Sequence, residues 1–172
     1  MVQSVELLLD AAAESAVRAQ WRALAAAGLP SQAAHTGASN RPHVTAAVAA
    51  ELAPEAEAAL CELEFEPFPI TLGSPVVFGR GRFVLVRLVI PTRALLALHR
   101  RIHVAVGGAP DIPENSEPDA WTPHVTLARR LPPERLGAAI ELIAADGDSP
   151  ATVAGIRRWD GDRRREWTVR GT

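Results

Sequence analysis

Two short segments hold residue types that can move protons around a phosphate. They read Arg-Pro-His-Val-Thr at 41–45 and Thr-Pro-His-Val-Thr at 122–126, and they place His43/Thr45 and His124/Thr126 81 residues apart in a chain with five histidines. Imidazole titrates nearest neutrality of all side chains. Two imidazoles can therefore hold complementary states, one neutral as general base and one protonated as general acid. Hydrolysis or transesterification of a phosphodiester needs such a pair, because one oxygen must lose a proton while the leaving ribose oxygen gains one. Threonine hydroxyls two residues further along a strand share the face of the histidine and can hydrogen-bond nonbridging phosphate oxygens. This chemistry needs neither a metal nor a nucleotide cofactor. A single His-x-Thr would carry no weight, since histidines are often solvated and threonine is a common strand former. The repetition of the whole setting gives the pair its meaning.

The elements that must position the two motifs also repeat. With the chain slid against itself by 81 residues, the apolar run 5–9 falls on 86–90, and the helical stretch 11–27 falls on 92–108. Loops at 28–42 and 107–123 each open into a motif. The stretches 53–64 and 132–145 each carry Pro-Glu at their second and third positions, as a first helical turn does. Further strands are expected within 68–90 and 151–170, with the Asp160-Gly161-Asp162 segment as a hairpin turn. The expected organisation is one domain over 1–172, made of a first repeat over about 1–80 and a second over about 81–172. Strict alternation sends Val44, Ala46, Val48, Val125 and Leu127 to the core. It turns His43, Thr45, His124 and Thr126 into a common cleft, with Trp121 on the core side.

Composition narrows the function. A net charge of −2 argues against nonspecific, charge-driven nucleic-acid binding. All 18 basic residues are arginine, so mechanisms that need an active-site lysine or a lysine P-loop are excluded. The lone Cys61 forms no intramolecular disulfide and suits a reducing compartment. No signal peptide is read at the N-terminus, and the most apolar stretch, 83–90, contains Arg87 and is too short to span a bilayer. The expectation is a cytoplasmic, soluble monomer with no membrane association and no obligate protein partner.

The paired motifs, the segment 67–90 and the run His-Val-Thr-Leu-Ala-Arg at 124–129 resemble the 2H phosphoesterases, in particular the group of 2′-5′ RNA ligases and RNA 2′,3′-cyclic phosphodiesterases. The resemblance covers nearly the whole chain. It implies a bilobal α+β fold, with an antiparallel sheet and helices in each lobe and the active-site groove between lobes. It implies metal-independent phosphodiesterase chemistry on RNA 2′,3′-cyclic phosphate ends or small cyclic or 2′-5′-linked nucleotides, possible also in reverse as ATP-independent 2′-5′ ligation. His43, Thr45, His124 and Thr126 are then catalytic, and no cofactor or metal is used. Arg129 matches the family's phosphate-contacting arginine by motif position. Strict alternation instead puts Arg130 on the face of His124, so Arg129 is expected to contact phosphate if a bulge intervenes, with Arg130 and Arg41 as further candidates.

Two rival readings concern other residues. A noncatalytic RNA- or nucleotide-binding relative would keep the groove without turnover. A zinc hydrolase would use His99 and His103, four apart on a helix, although this segment lacks the internal glutamate of His-Glu-x-x-His. The basic hairpin 157–167, with Trp159 and Trp167, is read as an exposed hairpin with its tryptophans packed inward rather than an RNA track.

Overall fold

The computed structural model describes residues 2–107 and 109–171. Among these residues seven strands, β1 (Gln3–Leu9), β2 (His43–Ala49), β3 (Phe68–Phe78), β4 (Phe83–Val89), β5 (His124–Leu131), β6 (Ser149–Asp160) and β7 (Arg165–Gly171), are interspersed with four α-helices. The helices are α1 (Ala11–Ala26), α2 (Pro54–Cys61), α3 (Arg93–Ala105) and α4 (Leu136–Ala144). The strands form one antiparallel sheet in the order β1-β2-β5-β4-β3-β6-β7, and β1 also pairs with β6. This is the expected α+β class.

The sheet has two halves. Long β6 runs through both: its first residues pair with β3, and its later residues pair with β7 on the same edge. Its other edge pairs with β1 from Val153 to Asp160. The halves meet a second time where β2 adjoins β5 through a single residue pair, Val44 with Val125. The helices cross this boundary reciprocally. Helix α1 packs on β5 and α4, while α3 packs on β2 and α2. Their apolar faces supply Val17, Trp21 and Leu24 from α1 and Leu95, Leu98 and Ile102 from α3, all buried against Val5, Leu7, Val44, Val125 and Leu127.

Local sequence explains the helix starts. Asp10 caps α1 by accepting from the Ala13 amide at 2.9 Å, and its other oxygen accepts from the Thr152 amide at 2.6 Å, tying the helix start to β6. Thr92 caps α3 through the Leu95 amide at 3.2 Å. Pro54 opens α2, whereas Pro133-Glu134 opens a single 3₁₀ turn that leads into α4. Arg87, buried within the apolar β4, donates to the carbonyls of Gly73, Ile143 and Gly147 at 2.7–3.0 Å. Its guanidinium adds donors to carbonyls at and just beyond the C-terminal end of α4, where the helix leaves acceptor capacity and partial negative charge.

Candidate active site

Both motif histidines are the first residues of their strands and are held in the same way. The Nδ1 of His43 lies 2.6 Å from the carbonyl oxygen of Arg41, and the Nδ1 of His124 lies 2.7 Å from that of Thr122. A carbonyl only accepts, so Nδ1 carries a hydrogen in each ring and Nε2 is left to exchange a proton. The antiparallel contact at Val44–Val125 sets His43 across from Thr126 and Thr45 across from His124. Two indoles brace this junction from opposite halves. Trp21 on α1 donates to the Thr126 carbonyl, and Trp121 donates to the Thr45 carbonyl, each at 3.0 Å. Those carbonyls flank a contact only one residue pair long, so the indoles replace ladder bonds the sheet does not make there.

Both motif strands bulge at matching positions. In β2 the pairing with β1 slips by one residue between Val5/Ala47 and Glu6/Thr45, and in β5 the pairing with β4 slips between Leu85/Ala128 and Val86/Thr126. The extra residues are Ala46 and Leu127, and both they and their successors are buried. Two expectations are settled by this. Val48, assigned to the core by strict alternation, turns to the groove. Arg129, the 81-residue counterpart of Val48, also turns to the groove beside His124. Arg130 does not line that cavity: its side chain is exposed and its backbone takes a left-handed φ of 58°, absorbing a further slip before Leu131.

A cavity of ≈ 510 Å³ is lined by Thr45, Val48, Phe78, Val84, Ser116, Trp121, His124, Thr126 and Arg129, among others. His43, across from Thr126, does not itself line it; its Nε2 lies 3.6 Å from Glu6 Oε1 and its Nδ1 3.5 Å from Arg157 Nη2. Phe78 meets the His124 ring edge-on, centroids 4.9 Å apart. Burial, with the charges of Arg129 and His43, pushes the His124 imidazole below its ordinary pKa, against the opposing pull of the Thr122 carbonyl. Arg41 is not brought to the cavity: Glu14 engages it through Nε at 3.1 Å and Nη2 at 2.7 Å. Trp121, expected in the core, is only partly buried and forms part of the groove wall.

His99 and His103 lie behind that wall. The His99 ring stacks flat on Trp121 with centroids 3.9 Å apart, and His103 faces Glu117 at 3.5 Å. Both rings are buried, and among the described residues neither Nε2 has a hydrogen-bond partner. Among the described residues, no cluster of three or more His, Cys, Asp or Glu side chains is arranged to hold a metal ion. Burial, and next the charge of His103, pushes His99 down to about 4. A folded pKa below the unfolded one stabilises the native state above the unfolded value, and that stability is lost as pH falls toward the folded value. The window here runs from about 6.5 down to about 4, for roughly 3 kcal/mol. Urea midpoints of the wild-type chain should fall across this window, and in His99→Phe, which keeps the stack on Trp121, they should fall much less.

The basic hairpin is exposed only on its β7 side and turn, because Arg157, Arg158 and Asp160 of β6 are buried, against the expectation of an exposed charged hairpin. Asp160 closes the turn by accepting from the amides of Asp162 and Arg163, and Trp167 donates inward to Glu57 on α2 at 2.8 Å.

The sequence model of the 2′-5′ RNA ligase superfamily matches residues 13–165. The chain belongs to that superfamily. No curated protein matches it at the sequence level. Among solved structures it is similar to Kluyveromyces marxianus Usb1 with uridine monophosphate, at 14% identity and TM-score 0.57 over 98% of each chain. It is also similar to Escherichia coli LigT in its apo form, at 18% identity and TM-score 0.55 over 97% of this chain and 93% of that one. LigT complexed with 3′-AMP gives 18% identity and TM-score 0.53, covering 99% and 94%. At these identities the likeness establishes the fold, and membership of this phosphoesterase and RNA ligase superfamily supports enzymatic phosphodiester chemistry. No described helix of this superfamily member is long and apolar enough to cross a membrane.

Several residues of this site were not legible in the motifs. Glu6, Arg157, Phe78, Trp21 and Trp121 reach it from β1, β6, β3, α1 and the loop before β5. The only sequence signals were an acid inside an apolar strand and the scarcity of tryptophan.

Proposed function

We propose that the chain is a phosphodiesterase that opens 2′,3′-cyclic phosphates on RNA ends or small cyclic nucleotides. His124 acts as base and His43 as acid. The observation that carries this reading is the matched pair of imidazoles, each with Nδ1 engaged by the carbonyl two residues earlier. Both halves being one duplicated unit, closed as a single domain, is part of the same proposal, supported by the reciprocal helix packing.

The reaction balances with these groups alone. His124 Nε2 removes a proton from water as its oxygen bonds to phosphorus. The bond from phosphorus to one ribose oxygen breaks, and His43 Nε2–H protonates that oxygen. Thr45 and Thr126 hydroxyls donate to nonbridging oxygens, and Arg129 offsets their charge. The lowered basicity of His124 supports the neutral role, since a base must be unprotonated at working pH. With a ribose 5′-hydroxyl replacing water, the same steps join ends without ATP, and their reverse returns the 2′-5′ linkage to a cyclic phosphate and a free hydroxyl. The nucleotide complexes of Usb1 and LigT support a nucleotide-sized ligand for this groove.

The test is turnover of a panel of 2′,3′-cyclic nucleotides and 2′-5′ dinucleotides in EDTA, without ATP, with the position of the product phosphate determined. The expected outcome is one monoester isomer from the cyclic substrates and full activity in chelator. Binding without turnover would favour a noncatalytic nucleotide binder. Activity restored to a chelated sample by Zn²⁺ or Mg²⁺ would favour a metal hydrolase.

A further inference from the structure

The two halves of the groove differ in what lies beneath the histidines. The motif strands are related by 81 residues, but the bulges reset the flanking strands. Val5 pairs with Ala47 and Leu85 with Ala128, so β1 and β4 correspond at an offset of 80. Glu6, beside Thr45, thus corresponds to Val86 beside Thr126, and Ser4 to Val84. On the next strand Arg157 pairs with Glu6 where Val76 pairs with Val86. The floor under His124 is valine. The floor under His43 is a serine, a carboxylate and a guanidinium.

Those three polar groups are buried, with Glu6 at 5% and Arg157 at 3% exposure. Arg157 Nε donates to Glu6 Oε2 at 2.6 Å, and Ser4 Oγ donates to Oε1 at 2.7 Å. Arg157 also donates to Glu166 on β7 and to the Ser39 carbonyl, which fixes its plane. Glu6 Oε1 then lies 3.6 Å from His43 Nε2, beyond hydrogen-bonding distance yet within strong Coulomb range. Nε2–H therefore stays free for a substrate oxygen while facing a fixed negative charge. Desolvation opposes that charge, but His43, Arg157 and Ser4 together hold the Glu6 carboxyl below its ordinary range.

We propose that Glu6, held by Ser4 and Arg157, is a positioning residue that keeps the transferable proton on His43 and so fixes which end of the groove takes the leaving group. This rests on the acid–base reading of the two histidines. Of the other charged groups near His43, Arg157 is also engaged by Glu166 and Arg41 by Glu14, while Arg129 on β5 stands on the His124 side of the cavity. The ribose oxygen that departs is placed over His43, and the attacking oxygen lies on the Phe78–Arg129 side.

The test compares kcat/KM against pH for wild type, Glu6→Gln and Glu6→Asp on a 2′,3′-cyclic nucleotide and on bis(4-nitrophenyl) phosphate, whose nitrophenolate departs unprotonated. In Glu6→Gln the alkaline limb for the cyclic substrate should move down by about one pH unit, a roughly tenfold loss on that shoulder. Glu6→Asp, which keeps the charge, should recover most of it, and the aryl diester should show little change. A uniform loss at every pH on both substrates would make Glu6 merely structural and overturn the proposal. If Glu6→Gln does not fold, ring ¹⁵N NMR of the wild type decides: His124 should lose its proton at lower pH than His43, and the reverse order would overturn the proposal. Full activity of His43→Ala would instead sink the acid–base reading itself.

Discussion

Alanine at either His43 or His124 is expected to lower kcat/KM on 2′,3′-cyclic nucleotides by at least about 10²–10⁴-fold, the range of one general acid or base. The double variant should fall far short of the product of the two losses, because a base without its acid partner has little left to assist. Both histidines begin strands, and their rings are only partly buried, so the folded state should survive each change. Leaving-group dependence separates them. An aryl diester that expels nitrophenolate should restore much of the rate in His43→Ala and little in His124→Ala. Alanine at Thr45 or Thr126 should cost less, roughly 10²–10³-fold, the loss seen when one oxyanion donor is removed.

The second large effect is expected at Arg129. Its guanidinium shares the cavity with His124 and Thr126, so it is placed to meet a nonbridging oxygen. Arg129→Met should lower kcat/KM by about 10²–10³-fold, and a phosphate monoester product should inhibit the variant more weakly. Arg129 is also one of the charges that depress the His124 imidazole. Removing it should let His124 hold its proton to higher pH, so the acid limb of the rate profile moves upward. Arg41→Met and Arg130→Met serve as comparators. The first guanidinium is engaged by Glu14 and the second stands outside the cavity, so each should change kcat/KM by less than about threefold.

Much of this architecture was legible because hydrophobic patterning and the repeated motif agreed. The order strand, helix, loop, motif strand, helix holds in both halves, and the positions of β2 and β5 follow from the motifs themselves. What alternation misplaced has one physical origin. A bulge adds a residue without changing composition, so Val48 and Arg129 changed faces with no mark in the sequence. The same slip turned the 81-residue register into 80 for β1 and β4 and concealed that Glu6 has no acidic counterpart. Glu6 read only as an acid interrupting an apolar run. Its meaning depends on Arg157, which is 151 positions away and reaches it only because β1 and β6 pair. Arg41 is held away from the cavity for a related reason. Its competitor Glu14 lies on α1, and nothing near the motif announces it.

Two-histidine catalysis is tested most directly by the pH dependence of kcat/KM for a 2′,3′-cyclic nucleotide, measured from about pH 4 to 10 with chelator present on wild type, His43→Ala and His124→Ala. The wild type should give a bell, its acid limb lying below the ordinary imidazole value because burial and Arg129 depress His124. Residual activity in His124→Ala should lose that acid limb, and residual activity in His43→Ala should lose the alkaline one. A wild-type profile without either limb, or a limb that survives loss of its histidine, would contradict two-histidine catalysis in this groove.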